Sequence, residues 1–579
     1  SKNITLMQLV ADTGLSYGKI YRIFNGSLKK PDPSQFKKLS KSLNLDYSQL
    51  LNLTPIRIQE LMTQLAYRIS EGNGEALYEI GVSDDGQLLG LSDENLNESL
   101  ENLKKITKKL KVSIVFISVK KIDKNNRKSL KIAEVLIREN QDVNNRYIDI
   151  FVATIGNVDA GKSSLIGVLT KGVLDNGRGK SRSMVMQYKH EIETGRTSTC
   201  THHIMGFDDK GNVINDKAIK NHLTSRDIVM ESKKVVTFAD LCGHEKYLRT
   251  TIYGMSSVLP DYAMILIGAN MGLTNMTKEH MAICLSLKIP IIIVITKIDI
   301  APPNKLEETL STITRLLKLP GVRKVPYLIT KHDDIALVAK NVPHDNIVPI
   351  FQISNVTGDG IDDLKTFYNL VPCRLNYNEQ NKSPVEYLID GNYYITGIGT
   401  VVSGILNSGS VKVNDQVLLG PTFKGEFIKT HIRSIHYKQI SVSEAKAGNY
   451  VCFALKKIAR NQIRKGMVII KEDNSQRAVW KFQADISVIQ SHHTSIKRRY
   501  QPYLHIGNVR QTARILSIEN IKTKVEIDDD NPTLRAGDKA QIKFEFVYKP
   551  EYIRPNMKLI FREGRIRGIG LITKVGNDI

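Results

Sequence analysis

The stretch Gly156-Asn157-Val158-Asp159-Ala160-Gly161-Lys162-Ser163 decides how this chain folds. It follows the apolar run Ile148 to Ile155 and precedes a helical pattern from Ser164 to Thr170, so it occupies a strand-to-helix turn. Glycines in such a turn let backbone N–H groups wrap phosphate oxygens, and the helix N-terminus contributes its partial positive charge. At this spacing Lys162 reaches the outer phosphates of a nucleotide and Ser163 offers a hydroxyl to Mg²⁺. Asn157, Val158, Asp159, Ala160, Gly161, Lys162, Ser163 and Ser164 are therefore the expected phosphate contacts.

Three further motifs follow in order, each at the end of a predicted strand. Val235 to Ala239 runs into Asp240-Leu241-Cys242-Gly243, where a carboxylate can join the Mg²⁺ shell and a glycine N–H can approach the γ-phosphate. Ile291 to Ile295 runs into Thr296-Lys297-Ile298-Asp299. Asp299 can accept from the N1–H and exocyclic amine of guanine, a pair adenine does not offer, and Lys297 would lie along the base. Val348 to Gln352 delivers Ser354-Asn355-Val356, where a backbone N–H would meet guanine O6. Four motifs on one edge of a doubly wound sheet predict a GTP/GDP site with Mg²⁺.

This layout resembles the translational GTPases related to elongation factor Tu and elongation factor 1 alpha. It is more closely similar to the GTP-binding protein 1 and 2 family, from about residue 58 to 576. The similar strings include LDNGRG at Leu174 to Gly179, KHEIETGRTS at Lys189 to Ser198, DLCGHEKYL at Asp240 to Leu248 and MTKEH at Met276 to His280. PIFQISNVTG at Pro349 to Gly358 and GIGTVVSG at Gly397 to Gly404 belong with them. The resemblance implies hydrolysis of GTP to GDP and phosphate, with His244 orienting the attacking water and Gly243 beside it. It places the first switch in Glu191 to Cys200 and points to Thr197 as the threonine that closes over Mg²⁺, with Ser198 and Thr199 as adjacent hydroxyls. The implied metal set is Ser163, Thr197 and Asp240.

Two positions depart from elongation factors. Thr194 stands where the R-G-x-T switch string has arginine, with Arg196 at the variable position. Thr296 replaces the usual asparagine of N-K-x-D, which removes an amide that braces the phosphate loop.

Outward from the G domain, expected at 148–375, the pattern changes on both sides. Beyond Pro384 short strands separated by Gly and Asn turns predict two β-barrels, at 383–472 and 477–579. By resemblance they form a groove for the acceptor arm of a transfer RNA and imply a ribosome-associated factor, working as a monomer. Lys497-Arg498-Arg499, Arg510, Arg562, Arg565 and Arg567 are basic positions able to meet phosphates. Ahead of the G domain, 56–147 reads as a small α+β domain. Residues 1–55 read as a helical module resembling helix-turn-helix domains of the Cro and phage-repressor type, with Tyr17, Lys19 and Arg22 available for DNA or RNA.

Composition narrows the function classes. The chain has 579 residues, 41% hydrophobic and 24% charged, which suits a globular multidomain protein. A net charge of +23 favours a polyanionic partner. The five cysteines show no C-x-x-C pair or metal-ligand spacing, so neither zinc nor a disulfide is expected. No stretch approaches the ~20 apolar residues of a membrane span, and the expectation is a cytosolic protein without a membrane partner. Two other readings stay open: a regulatory GTPase switch binding messenger RNA or protein, and a DNA-binding regulator acting through the front module.

Overall fold

The computed structural model describes residues 55–576, apart from 73, 83–87, 123–129, 140–146, 219–222, 245–246, 259, 320, 345, 376, 378, 472–477, 489–495, 521–533, 536 and 564. The helix-turn-helix reading and its nucleic-acid contact fall on residues 1–54, outside the described residues. The chain divides into two compact units, Ser1–Asn140 and Gln141–Ile579.

The first unit has helices α1 (Pro55–Glu71) and α2 (Asp93–Leu110) with strands β1 (Glu75–Ile80), β2 (Val112–Ile122) and β3 (Leu130–Glu139). The sheet is antiparallel with β3 in the middle. Helix α2 starts at Ser92, whose side chain accepts from Asn95 N at 3.3 Å. Its apolar face, Leu96, Leu103 and Ile106, packs with Val135 and Ile137 of β3. On β2, Lys120 pairs with Glu134 of β3 at 3.0 Å.

In the second unit β4 (Ile148–Gly156), β5 (Thr201–Phe207), β6 (Lys234–Asp240), β7 (Tyr262–Gly268), β8 (Ile291–Thr296), β9 (Val325–Leu328) and β10 (Ile347–Gln352) form one sheet in the order β5-β6-β4-β7-β8-β10-β9. All neighbours are parallel except β5 and β6. A parallel sheet covered on both faces needs continuous apolar strands, and β6, β7 and β8 are buried at every residue. From β4 the chain moves first to one side, through β5 and β6, and then to the other, through β7. The strand order therefore reverses beside β4, and the crevice beyond the carboxyl ends of the strands at such a point is where ligands bind.

Two closed barrels follow. β11 (Glu386–Ile395), β12 (Gly399–Ser408), β14 (Gln416–Gly420), β15 (Ile428–Tyr437), β18 (Tyr450–Leu455) and β19 (Val468–Ile470) make the first. Short strands β13 (Ser410–Lys412), β16 (Ile440–Val442) and β17 (Glu444–Lys446) flank it. The second closes in the order β20 (Lys481–Val488), β23 (Lys539–Phe546), β22 (Val509–Asn520), β21 (Tyr503–Ile506), β24 (Lys558–Glu563), β25 (Arg565–Val575). Alternation sets its core: Ala540, Ile542, Phe544 and Phe546 of β23 point inward.

The first barrel holds the G domain by polar and aromatic contacts. Tyr437 OH and Lys438 Nζ both donate to the carboxylate of Asp149 on β4, and Lys438 also reaches Thr237 Oγ1 at 2.6 Å. On β5, His202 sits edge-on between Phe151 and Tyr450, with ring centroids 5.2 and 4.9 Å away.

Candidate functional site

The phosphate loop leaves β4 at Gly156, whose added Cβ would stand 2.5 Å from the Leu266 carbonyl of the neighbouring β7, so only glycine fits. Gly161, with φ near +83°, opens helix α3 (Lys162–Lys171), which is anchored by buried Leu165, Ile166, Val168 and Leu169. Asp159, half-way round the loop, also has positive φ. Lys162 Nζ lies back over the loop and donates to the carbonyls of Gly156 at 3.2 Å and Asn157 at 2.8 Å.

Next in sequence, Ser163 Oγ donates to Asp240 Oδ2 at 2.6 Å and lies 2.8 Å from Thr197 Oγ1, which is itself 3.3 Å from the same carboxylate oxygen. Residues from a helix, a loop and a strand thus converge within hydrogen-bonding distance, and they are the predicted metal set. The other oxygen, Asp240 Oδ1, is buried with no hydrogen-bond partner. Burial pushes the Asp240 carboxyl up, with the Ser163 hydrogen bond and Lys162 opposing. Burial likewise pushes the Lys162 ammonium down, opposed by Asp240. A buried cation and a buried anion that only partly offset each other gain from a polyanion beside the first and a hard divalent cation beside the second. Oxygen donors alone, one of them a carboxylate oxygen without a hydrogen bond, fit Mg²⁺.

Gly243 closes over this loop. A Cβ there would stand 2.3 Å from Lys162 Nζ and 2.6 Å from the Gly156 carbonyl. His244 follows, half-buried, with its ring 6.2 Å from that of Tyr247.

The base-side motifs lie at the ends of β8 and β10. Asp299 is exposed, and Lys297 is held in the left-handed region with φ near +63°. Ser354 is buried and its Oγ accepts from Val356 N and Thr357 N at 3.2 and 3.1 Å, which makes it a builder of the loop. Asn355 is buried with Oδ1 unpartnered. Thr296 behaves differently from the expectation. The amide is absent, but the Thr296 hydroxyl donates to Ala160 O at 2.9 Å, so a short side chain on β8 still braces the phosphate loop.

The segment expected to form the first switch contains a residue whose weight the sequence did not show. Short helix α5 (Lys189–Thr194), after α4 (Lys180–Ser183), carries Glu191, 1% exposed, whose Oε1 accepts from the backbone N and side-chain oxygen of both Ser198 and Thr199. An acidic residue seven positions before a Ser-Thr pair was the only signal. Arg182 of α4 fills the space beside Gly195, where a Cβ would meet its guanidinium at 2.8 Å.

The basic positions of the second barrel divide. Lys497, Arg498 and Arg499 are exposed, and Arg510 is half-buried. Arg562 is a correction: it is 6% exposed on β24, opposite Tyr503 of β21, and cannot meet a phosphate from solvent. The side chains of Arg565 and Arg567 lie outside the described residues. Among the described residues no helix is long and apolar enough to cross a membrane.

A phosphate loop and a guanine-type loop on one sheet edge, followed by barrels, define a GTP-hydrolysing P-loop protein. Residues 148–376 match the elongation factor Tu GTP binding domain, and 399–470 match elongation factor Tu domain 2. GTP-binding protein 1 of Xenopus laevis is 42% identical over 518 residues, covering 89% of this chain and 76% of the frog protein. GTP-binding protein 2 of Homo sapiens is 39% identical over 552 residues, covering 94% and 89%. The chain belongs to this GTP-binding protein 1 and 2 family of elongation factor-like GTPases. Elongation factor 1-alpha of Methanosarcina acetivorans is 26% identical over 442 residues, 73% of this chain and 96% of that one. In fold it is similar to translation elongation factor SelB of Methanococcus maripaludis in complex with the GTP analogue GppNHp. That likeness has a TM-score of 0.53 at 22% identity, covering 74% of this chain and 80% of the other.

Proposed function

We propose that this GTPase is a ribosome-associated translation factor that binds and delivers transfer RNA, with GTP hydrolysis as its conformational timer. The observation that carries the reading is a continuous path from nucleotide site to barrel. Thr197 meets Ser163 and Asp240; four residues on, β5 begins; and His202 of β5 packs against Tyr450 of the first barrel. A change at the switch is thereby felt where a partner would bind. The exposed Lys497 to Arg499 and the +23 charge suit a nucleic-acid backbone.

In this reading Lys162 and the loop N–H groups hold the phosphates, and Ser163, Thr197 and Asp240 hold Mg²⁺. The bound ion would neutralise charge on the β- and γ-phosphate oxygens. Gly243 brings its N–H to the γ-phosphate, and His244 orients the attacking water, so the protein supplies placement and electrostatics rather than covalent chemistry. Asp299 selects guanine. Ser354 Oγ already ties down the Val356 N–H, so Asn355 is the residue of that loop assigned to guanine O6.

The test uses the full chain with purified ribosomes and aminoacyl-transfer RNA. Ribosomes should accelerate GTP turnover, and GTP should be required for protection of the aminoacyl ester from spontaneous hydrolysis. His244→Ala should retain nucleotide binding and lose roughly 100-fold or more of the turnover. Absence of both ribosomal stimulation and ester protection rules the proposal out.

A further inference from the structure

Glu191 is a carboxylate placed out of water, 1% exposed on a short helix in the segment assigned to the first switch. Its Oε1 accepts four hydrogen bonds: Ser198 N at 2.8 Å, Ser198 Oγ at 2.8 Å, Thr199 N at 3.2 Å and Thr199 Oγ1 at 3.1 Å. Burial alone would raise this carboxyl, but the bonds from Ser198 and Thr199 outweigh it and hold the group below the usual carboxylate range. It is ionised at neutral pH, and hydrogen bonds to an ionised acceptor are roughly twice as strong as neutral ones.

The residue just before the clamped pair is Thr197, whose hydroxyl reaches across to Ser163 at 2.8 Å and Asp240 at 3.3 Å. Arg196, on its other side, is exposed. Thr197 is therefore held from its C-terminal side, by the fixed backbone of Ser198 and Thr199. The helix bearing the clamp ends at Gly195, whose N–H donates to the Glu191 carbonyl at 2.7 Å, so the backbone and side chain of Glu191 hold the segment at Gly195 and again at Ser198 and Thr199.

We propose that Glu191 is a positioning residue for the switch: its carboxylate fixes Ser198 and Thr199 so that Thr197 is presented to Ser163 and Asp240 in the GTP state. The inference rests on Thr197 being the switch threonine. Glu191 touches neither nucleotide nor metal in this assignment and acts through Thr197.

A simple structural staple would affect GDP and GTP states alike, whereas a positioning residue acts on the state in which Thr197 is engaged. The experiment compares full-length wild type, Glu191→Ala, Glu191→Gln, Thr197→Ala and the double variant. It measures affinity for a fluorescent GDP and a non-hydrolysable GTP analogue, and single-turnover hydrolysis at saturating GTP. Glu191→Ala should lower hydrolysis about tenfold or more and analogue affinity about fivefold, with GDP affinity within about twofold. Glu191→Gln, which keeps an acceptor oxygen without the charge, should fall between. Adding Glu191→Ala to Thr197→Ala should change hydrolysis by less than about twofold, because both act through one group.

Equal weakening of GDP and analogue, unchanged hydrolysis in Glu191→Ala, or multiplicative effects in the double variant would each overturn the proposal. Thr197→Ala with wild-type hydrolysis overturns the switch assignment beneath it, and the two failures are distinguishable. Should Glu191→Ala lose the fold, the near-isosteric Glu191→Gln carries the same comparison.

Discussion

Replacing Thr296 by valine removes one hydroxyl and keeps the side chain's shape. Thr296 is fully buried, and the acceptor of its 2.9 Å hydrogen bond, the Ala160 carbonyl, belongs to a residue only 2% exposed. Losing a neutral hydrogen bond costs about 0.5–1.5 kcal/mol, and leaving the buried carbonyl without a donor brings the cost to about 1–3 kcal/mol. The loop keeps a second brace, Lys162 Nζ on the Gly156 and Asn157 carbonyls, so a value in the lower half of that range, ~1.5 kcal/mol, is expected. That is roughly a tenfold loss of nucleotide affinity. The braced residue sits in the part of the loop shared by both nucleotides, so GDP and GTP should weaken together. Thr296→Ser, which restores the hydroxyl, should recover most of the loss. The assay is equilibrium titration with fluorescent GDP and a GTP analogue. Affinities within about twofold of wild type, or a loss confined to the GTP analogue, would refute the argument that this hydroxyl holds the loop.

Three other outcomes follow from the same site. Gly243→Ala forces a Cβ against the backbone, 2.6 Å from the Gly156 carbonyl and 2.9 Å from the Asn157 carbonyl carbon. Overpacking of this kind costs about 1–3 kcal/mol, so single-turnover hydrolysis should fall by about tenfold, and a wild-type rate would show that Gly243 stands clear of the loop when GTP is cleaved. Asp299→Asn should move preference from guanine to xanthine, since the amide presents a donor where guanine also has one; retained guanine selectivity in competition binding would remove Asp299 from base recognition. His280 is fully buried and its pKa is pushed down to about 3, mainly by burial and then by the Lys162 charge. Because its folded value lies below the ordinary 6.5, the unfolded chain binds the extra proton between those two pH values, and stability is lost as pH falls through that window. The slope is at most ~1.4 kcal/mol per pH unit, and His280→Gln should flatten the fall of Tm on acidification; identical slopes in the two proteins would contradict it.

The local motifs were legible because their spacing is tied to backbone geometry. G-x-x-x-x-G-K-S between a strand and a helix has few other uses, and the order of Asp240, Thr296 to Asp299 and Ser354 to Val356 at successive strand ends follows from parallel strands sharing one carboxyl edge. The chain also gave away its barrels by the change from helical to alternating pattern beyond Pro384. What it concealed depends on residues far apart. Thr296 read as a loss because the substitution was judged by type, whereas its hydroxyl meets Ala160 across 136 positions of sequence. Arg562 read as a surface cation, whereas it is 6% exposed on β24, paired between β21 and β25.

By itself the amino-acid sequence determined a P-loop GTPase with guanine selectivity and two following barrels, because those properties reside in short strings whose chemistry survives any folding detail. The tertiary structure alone decided the contacts no motif names. Glu191 under Ser198 and Thr199, Thr296 against Ala160, and His202 against Tyr450 each join separate elements or bring a loop back on itself. A hydrogen bond is settled within tenths of an ångström, and only the packed sheet and barrel position those groups that closely.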